Sequence, residues 1–125
     1  MKKLKALAIV AGTLFAGSAF AANLTCSVYV ANGGFTSGNG TSSCSGVDFT
    51  NNNSARALFS IGNVSKSIKE IRWSGISCTG GIACNTRVRA FSSASASALI
   101  LYKDGTWEKT NTATASYENE PGTPF

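Results

Sequence analysis

The chain has 125 residues, is 43% hydrophobic and only 14% charged, and contains no histidine, which excludes Ser-His and Cys-His nucleophile activation and imidazole metal ligation. Its formal charge of +5 overstates the basic character, because Lys2, Lys3 and Lys5 all lie at the start. The rest of the chain holds eight Lys and Arg against six Asp and Glu, a net +2 that is too small and too scattered for a nucleic-acid footprint.

Residues 1–21 have the pattern of a secretory leader: a lysine-rich start, an apolar run from Leu4 to Phe15, and the small-x-small motif Ala19-Phe20-Ala21. The run is too short to span a bilayer, so cleavage between Ala21 and Ala22 is expected. The leader looks bacterial and predicts a secreted or periplasmic protein. No cysteine sits just after the cleavage site, so no lipoprotein anchor is expected, and no transmembrane segment is expected after cleavage. Roughly a hundred mature residues make one domain, expected over 22–117, with a frayed tail over 118–125 that holds Pro121 and Pro124.

Positions 22–31 alternate as a first strand, with Leu24, Cys26, Val28 and Val30 against Thr25, Ser27 and Tyr29. Positions 32–46 are rich in Gly, Ser, Thr and Asn around Phe35 and read as a loop. Val47 to Thr50 reads as a short strand and Ala55 to Ile61 as the next. Residues 64–74 carry both helical and strand spacings. Strand is the choice for Ile68 to Ser74, followed by an excursion over 74–85 eased by Gly75, Gly80 and Gly81. Thr86 to Phe91 alternates, and Ala94 to Lys103 is a β-rich run. Asp104-Gly105 then predicts a two-residue turn into a strand over 106–117, pairing Lys103 with Thr106, Tyr102 with Trp107 and Ile100 with Lys109. The tract Ser92-Ser93-Ala94-Ser95-Ala96-Ser97-Ala98 fits a thin strand packed closely on a neighbouring sheet.

Four cysteines (Cys26, Cys44, Cys78, Cys84) in a short exported chain predict two disulfides with three possible pairings. The sequential pairing, Cys26–Cys44 and Cys78–Cys84, is favoured because each bridge then closes a local loop. A four-thiolate zinc site would need a Cys-x2-4-Cys knuckle that the spacing lacks, so no metal and no cofactor is expected. Seven or so short strands with frequent turns imply an all-β fold, a small antiparallel β-sandwich. In architecture it resembles immunoglobulin domains, with Trp73 in a middle strand, although their Cys…Trp…Cys spacing is absent. A small β-barrel is the alternative.

No Gly-x-Ser-x-Gly, Ser-x-x-Lys or phosphate-cradling glycine motif is present, and of the six acids only Asp48 and Glu70 are placed where a catalytic pair is conceivable. A non-enzyme is therefore expected. The candidate binding residues are Trp107, Tyr102 and Trp73, as a sugar-stacking platform, and Arg72, Arg87 and Arg89 with Lys69, as a basic patch. The leading reading is a non-catalytic exported domain that binds a protein or glycan surface. Two others are an inhibitor of a lytic enzyme or protease and a structural or adhesive surface subunit. The Ser-Ala run with Tyr102 and Trp107-Glu108-Lys109 resembles part of the bacterial lysozyme inhibitors of the C type, which implies the inhibitor reading, but the cysteines here are placed differently.

Overall fold

The structure is a computed structural model that describes residues 22–78 and 81–120. The expected leader, 1–21, and the end of the expected tail, 121–125, lie outside the described residues. Among the described residues nine strands follow in chain order: β1 (Asn23–Tyr29), β2 (Phe35–Ser37), β3 (Ser43–Asp48), β4 (Ser54–Gly62), β5 (Ile68–Ser74), β6 (Ala83–Arg89), β7 (Ser92–Tyr102), β8 (Trp107–Lys109) and β9 (Ala113–Asn119). No helix occurs among the described residues.

Two sheets face each other as a sandwich, and the barrel alternative is not formed. The larger has six strands in the order β2-β3-β9-β7-β5, with β8 also beside β7; the smaller is β1-β4-β6. All pairs are antiparallel except β9 with β3, which run parallel. Between β3 and β9 the chain crosses to the small sheet and back, and such a crossover leaves either direction open.

Period-two alternation decides which face each side chain takes. Leu24 and Val28 of β1, Ala57 and Phe59 of β4, and Val88 of β6 point into the gap from the small sheet. Ala96, Ala98 and Ile100 of β7 and Ala113, Ala115 and Tyr117 of β9 meet them from the large one. The alanines at the centre let the sheets approach, as expected of the Ser-Ala tract, and the larger rings and branched chains fill the ends. Each fully buried large aliphatic or aromatic side chain contributes about 1.5–3 kcal/mol.

The cysteines pair sequentially. Cys26–Cys44 (Cα–Cα 5.9 Å) joins β1 to β3, and Cys78–Cys84 (Cα–Cα 6.0 Å) ties the excursion to the start of β6. The first is thus more than a loop closure, because it bolts one sheet to the other.

Three local expectations are corrected. The stretch 32–46 is not simply a loop: it contains β2 and the start of β3, where Phe35 pairs with Val47 and Thr36 with Gly46. Gly46 permits this, because a Cβ there would fall 2.6 Å from Val30 and 2.8 Å from Val28 of the facing layer. β9 runs through Asn119, past the expected domain boundary, and the Glu120 N–H donates to the Asp48 carbonyl.

The third correction is the hairpin after β7. Trp107 pairs with Leu101, Glu108 with Ile100 and Lys109 with Leu99, one residue out of the expected register. Gly105 has φ +90 and its N–H donates to the Tyr102 carbonyl, while Asp104 is not left-handed, so the turn has three residues and ends on a left-handed glycine. The extra residue is recovered by an irregularity at 110–112, and beyond it Ala113 pairs with Ala96 as a two-residue turn would have set. A one-residue slip exchanges the two faces of a strand. Trp107 therefore points away from Tyr102, and the expected aromatic pair does not form.

The edge of β1 opposite β4 is closed residue by residue. Asn111 Oδ1 accepts the Leu24 N–H and Asn111 Nδ2 donates to the Leu24 carbonyl; the Cys26 N–H donates to the Thr41 carbonyl; Asn39 both accepts from and donates to the Val28 backbone. Side-chain amides here replace a strand neighbour.

Candidate functional site

The outward face of the large sheet carries exposed apolar side chains set on regular strands. Leu99 and Leu101 of β7 point outward between buried neighbours, and Trp107, 66% exposed, stands beside Leu101 as its partner on β8. Arg72 of β5 completes the wall of a shallow cleft of about 270 Å³ with Leu99, Leu101 and Trp107. Its guanidinium is held by Glu70 on the same face, with Nε 2.7 Å from Oε2. The structure thus brings together two of the expected residues, Trp107 and Arg72.

The other expected residues are elsewhere. Tyr102 is 4% exposed and turned inward, and its hydroxyl donates to Glu108 Oε1 at 2.5 Å. Burial, with the Glu108 carboxylate beside it, pushes the phenol up to about 12. Trp73 is half-buried against the core, and its Nε1–H donates to the Gly81 carbonyl at 3.2 Å. Arg87 and Arg89 lie on β6 in the small sheet, so they form no patch with Arg72 or Lys69. They share a face with Arg56 of β4, which stacks 4.2 Å above the Tyr29 ring, while the Arg87 guanidinium donates to the Ser54 hydroxyl and carbonyl.

Along the same outward face from Trp107 the surface turns to hydroxyls. Ser37, Ser45, Ser116 and Ser93 form one rung across four strands, and Ser43, Thr114 and Ser95 form the next. Ser95 and Thr114 hydroxyls bond each other at 2.8 Å. A second cleft, of about 600 Å³, opens over Ser45, Ser93 and Ser116. Phe91 and Glu118 stand at its rim. Phe91 is 69% exposed and has φ +62, a conformation that branched or bulky side chains avoid. From Phe91 to the Trp107 end, β7 spans roughly 30 Å at the usual strand rise.

Phe91, Leu99, Leu101 and the hydroxyl rungs were not singled out from the sequence. Their common parity along β7 and β9 was visible, but which face looked outward, and that β3 would lie parallel beside β9, was not.

Asp48 and Glu70 lie on β3 and β5, with β9 and β7 between them, and face opposite sides of the sheet, so the candidate pair is not formed. Asp48 is 1% exposed; burial alone would raise its carboxyl, but the hydroxyls of Thr50 and Tyr117 and the N–H groups of Ala31 and Thr50 together hold it below the usual carboxylate value. At the hairpin tip the Thr106 hydroxyl and N–H, with Lys66 assisting, hold Asp104 down to about 2. Among the described residues no group of three His, Cys, Asp or Glu is placed to hold a metal, and no helix is long and apolar enough to cross a membrane. No protein-family model matches the chain, and no curated protein or solved structure matches it either.

Proposed function

We propose that the chain is an exported, non-catalytic domain that binds an extended glycan along the outward face of its large sheet. The observation that carries this reading is the pair of exposed rings, Trp107 and Phe91, at opposite ends of one face whose middle is a lattice of serine and threonine hydroxyls. Aromatic rings stack on the apolar C–H faces of sugars, and hydroxyls both donate to and accept from sugar hydroxyls. Two rings roughly 30 Å apart fit a polymer better than a single sugar. Export is supported by the leader pattern and by the two disulfides, which persist outside the reducing cytoplasm.

The test is retention on insoluble polysaccharides and a glycan array, with Trp107→Ala and Trp73→Phe compared with the unaltered chain. Trp107→Ala is expected to weaken retention about tenfold, close to 1.4 kcal/mol, and Trp73→Phe to leave it unchanged. No retention on any glycan, equal retention by Trp107→Ala, or measurable turnover of a bound polymer would overturn the reading. Capture of a protein by the same face in place of glycans would count against it in the same way.

A further inference from the structure

We infer that removal of the leader turns a hydrogen bond of the precursor into an ion pair: the free α-ammonium of Ala22 docks on the Glu108 carboxylate and clasps the small sheet to the large one. The inference rests on the export reading above and adds a structural consequence to it. The Ala22 nitrogen lies 2.9 Å from Glu108 Oε2, while Glu108 Oε1 accepts the Tyr102 hydroxyl. Ala22 immediately precedes β1 of the small sheet and Glu108 sits in the middle of β8 of the large sheet, so the contact crosses the gap between layers.

The one-residue slip of the hairpin is what makes the receptor. It sends Trp107 outward and Glu108 inward, towards Tyr102 and the start of β1. The next anchor, Asn111 gripping both backbone groups of Leu24, fixes the chain two residues on, so the nitrogen is held in place before any charge appears. The cleavage motif ends at Ala21 and the Glu108 contact begins at Ala22, so site of cut and receptor coincide.

In the uncleaved chain this nitrogen is a peptide N–H with one neutral proton to give. Hydrolysis of the Ala21–Ala22 bond by an export peptidase adds the hydroxyl of water to the Ala21 carbonyl and a proton to the Ala22 nitrogen, and a further proton from solvent makes it an ammonium at neutral pH. A hydrogen bond with one charged partner thereby becomes an ammonium–carboxylate pair in which both partners are charged, which adds a direct Coulombic attraction. The mature form is tightened only after the leader has gone, which leaves the precursor looser during export.

Two measurements test this separately. Intact mass of the protein recovered after export is expected to place its first residue at Ala22; a different first residue overturns the export-site reading and the clasp with it. The clasp itself is read from four purified chains: one starting at Ala22, one with an added glycine before it, and each of these with Glu108→Gln. The added glycine is expected to lower the melting temperature by about 4–8 °C, the shift for loss of one such charge gain in a domain of this size, and Glu108→Gln to abolish that difference. Acylation of the α-amine in the unaltered Ala22 chain is expected to be about tenfold slower than in the extended chain, a readout that needs no substituted residue. Equal melting temperatures, a difference that survives Glu108→Gln, or equal acylation rates would overturn the clasp even if cleavage occurs at Ala22.

Discussion

Phe91 holds a left-handed backbone with a large exposed ring, which costs about 1–2 kcal/mol without burying the side chain. Glycine would relieve that strain. Phe91→Gly is therefore expected to raise the unfolding free energy by up to about 1 kcal/mol in urea titrations while weakening glycan retention, the opposite signs that mark a residue kept for a surface role. Asp48 works in the other direction. Its carboxyl is lower in the folded chain than in the unfolded one, so its contribution is present above the unfolded value near 3.8 and is lost as pH falls through the lower folded value. Thermal unfolding followed from pH 6 to pH 2 should show a steep loss below about pH 4, and Asp48→Asn should flatten that part of the profile while lowering stability at pH 6 by about 1–3 kcal/mol. The character of both positions was hidden in the sequence, where Phe91 is one more alternating apolar residue and Asp48 one more acid, because a dihedral angle and a set of distant donors define them.

At the scale of elements, most strands followed from alternation: Ile68–Ser74 was placed to the residue, and β1, β4 and β7 to within a few. The misses have one cause. Strands β2 and β3 lie in a stretch poor in apolar residues, where Gly46 stands in place of a core side chain and pairing with each other and with β9 makes the segment a pair of strands. The hairpin register was likewise decided beyond its own residues, by a left-handed Gly105 and an irregularity at 110–112 that Thr110 stabilises by accepting the Ala98 N–H. The side-chain closure of β1 yields a prediction at this scale. Asn111→Ala removes partners from both the N–H and the carbonyl of Leu24 and is expected to cost about 1–3 kcal/mol, with faster amide hydrogen exchange at Leu24 than at Phe59 as the local reading.

For the whole molecule, the two disulfides differ in what they hold. Replacing Cys26 and Cys44 by alanine opens a separation of 18 residues and unbolts the sheets, with an expected cost of about 3 kcal/mol, against about 2 kcal/mol for Cys78 and Cys84 with their separation of 6. Urea midpoints of the two double variants, with the order reversed, would contradict this account. Charge is also divided between the layers. The strands of the small sheet carry Arg56, Arg87 and Arg89 and no acid, so the outer face of that sheet is basic while the proposed binding face is mostly hydroxyl and apolar. By itself the sequence determined the all-β class, the favoured pairing of the cysteines and the alternation along the regular strands, because alternation and loop closure are local and act over a few residues. Only the tertiary structure decided that Trp107 and Arg72 share a cleft, that Tyr102 is core, and that seven hydroxyls from four strands form one lattice, since these depend on strand order and on a single-residue register that no local pattern encodes.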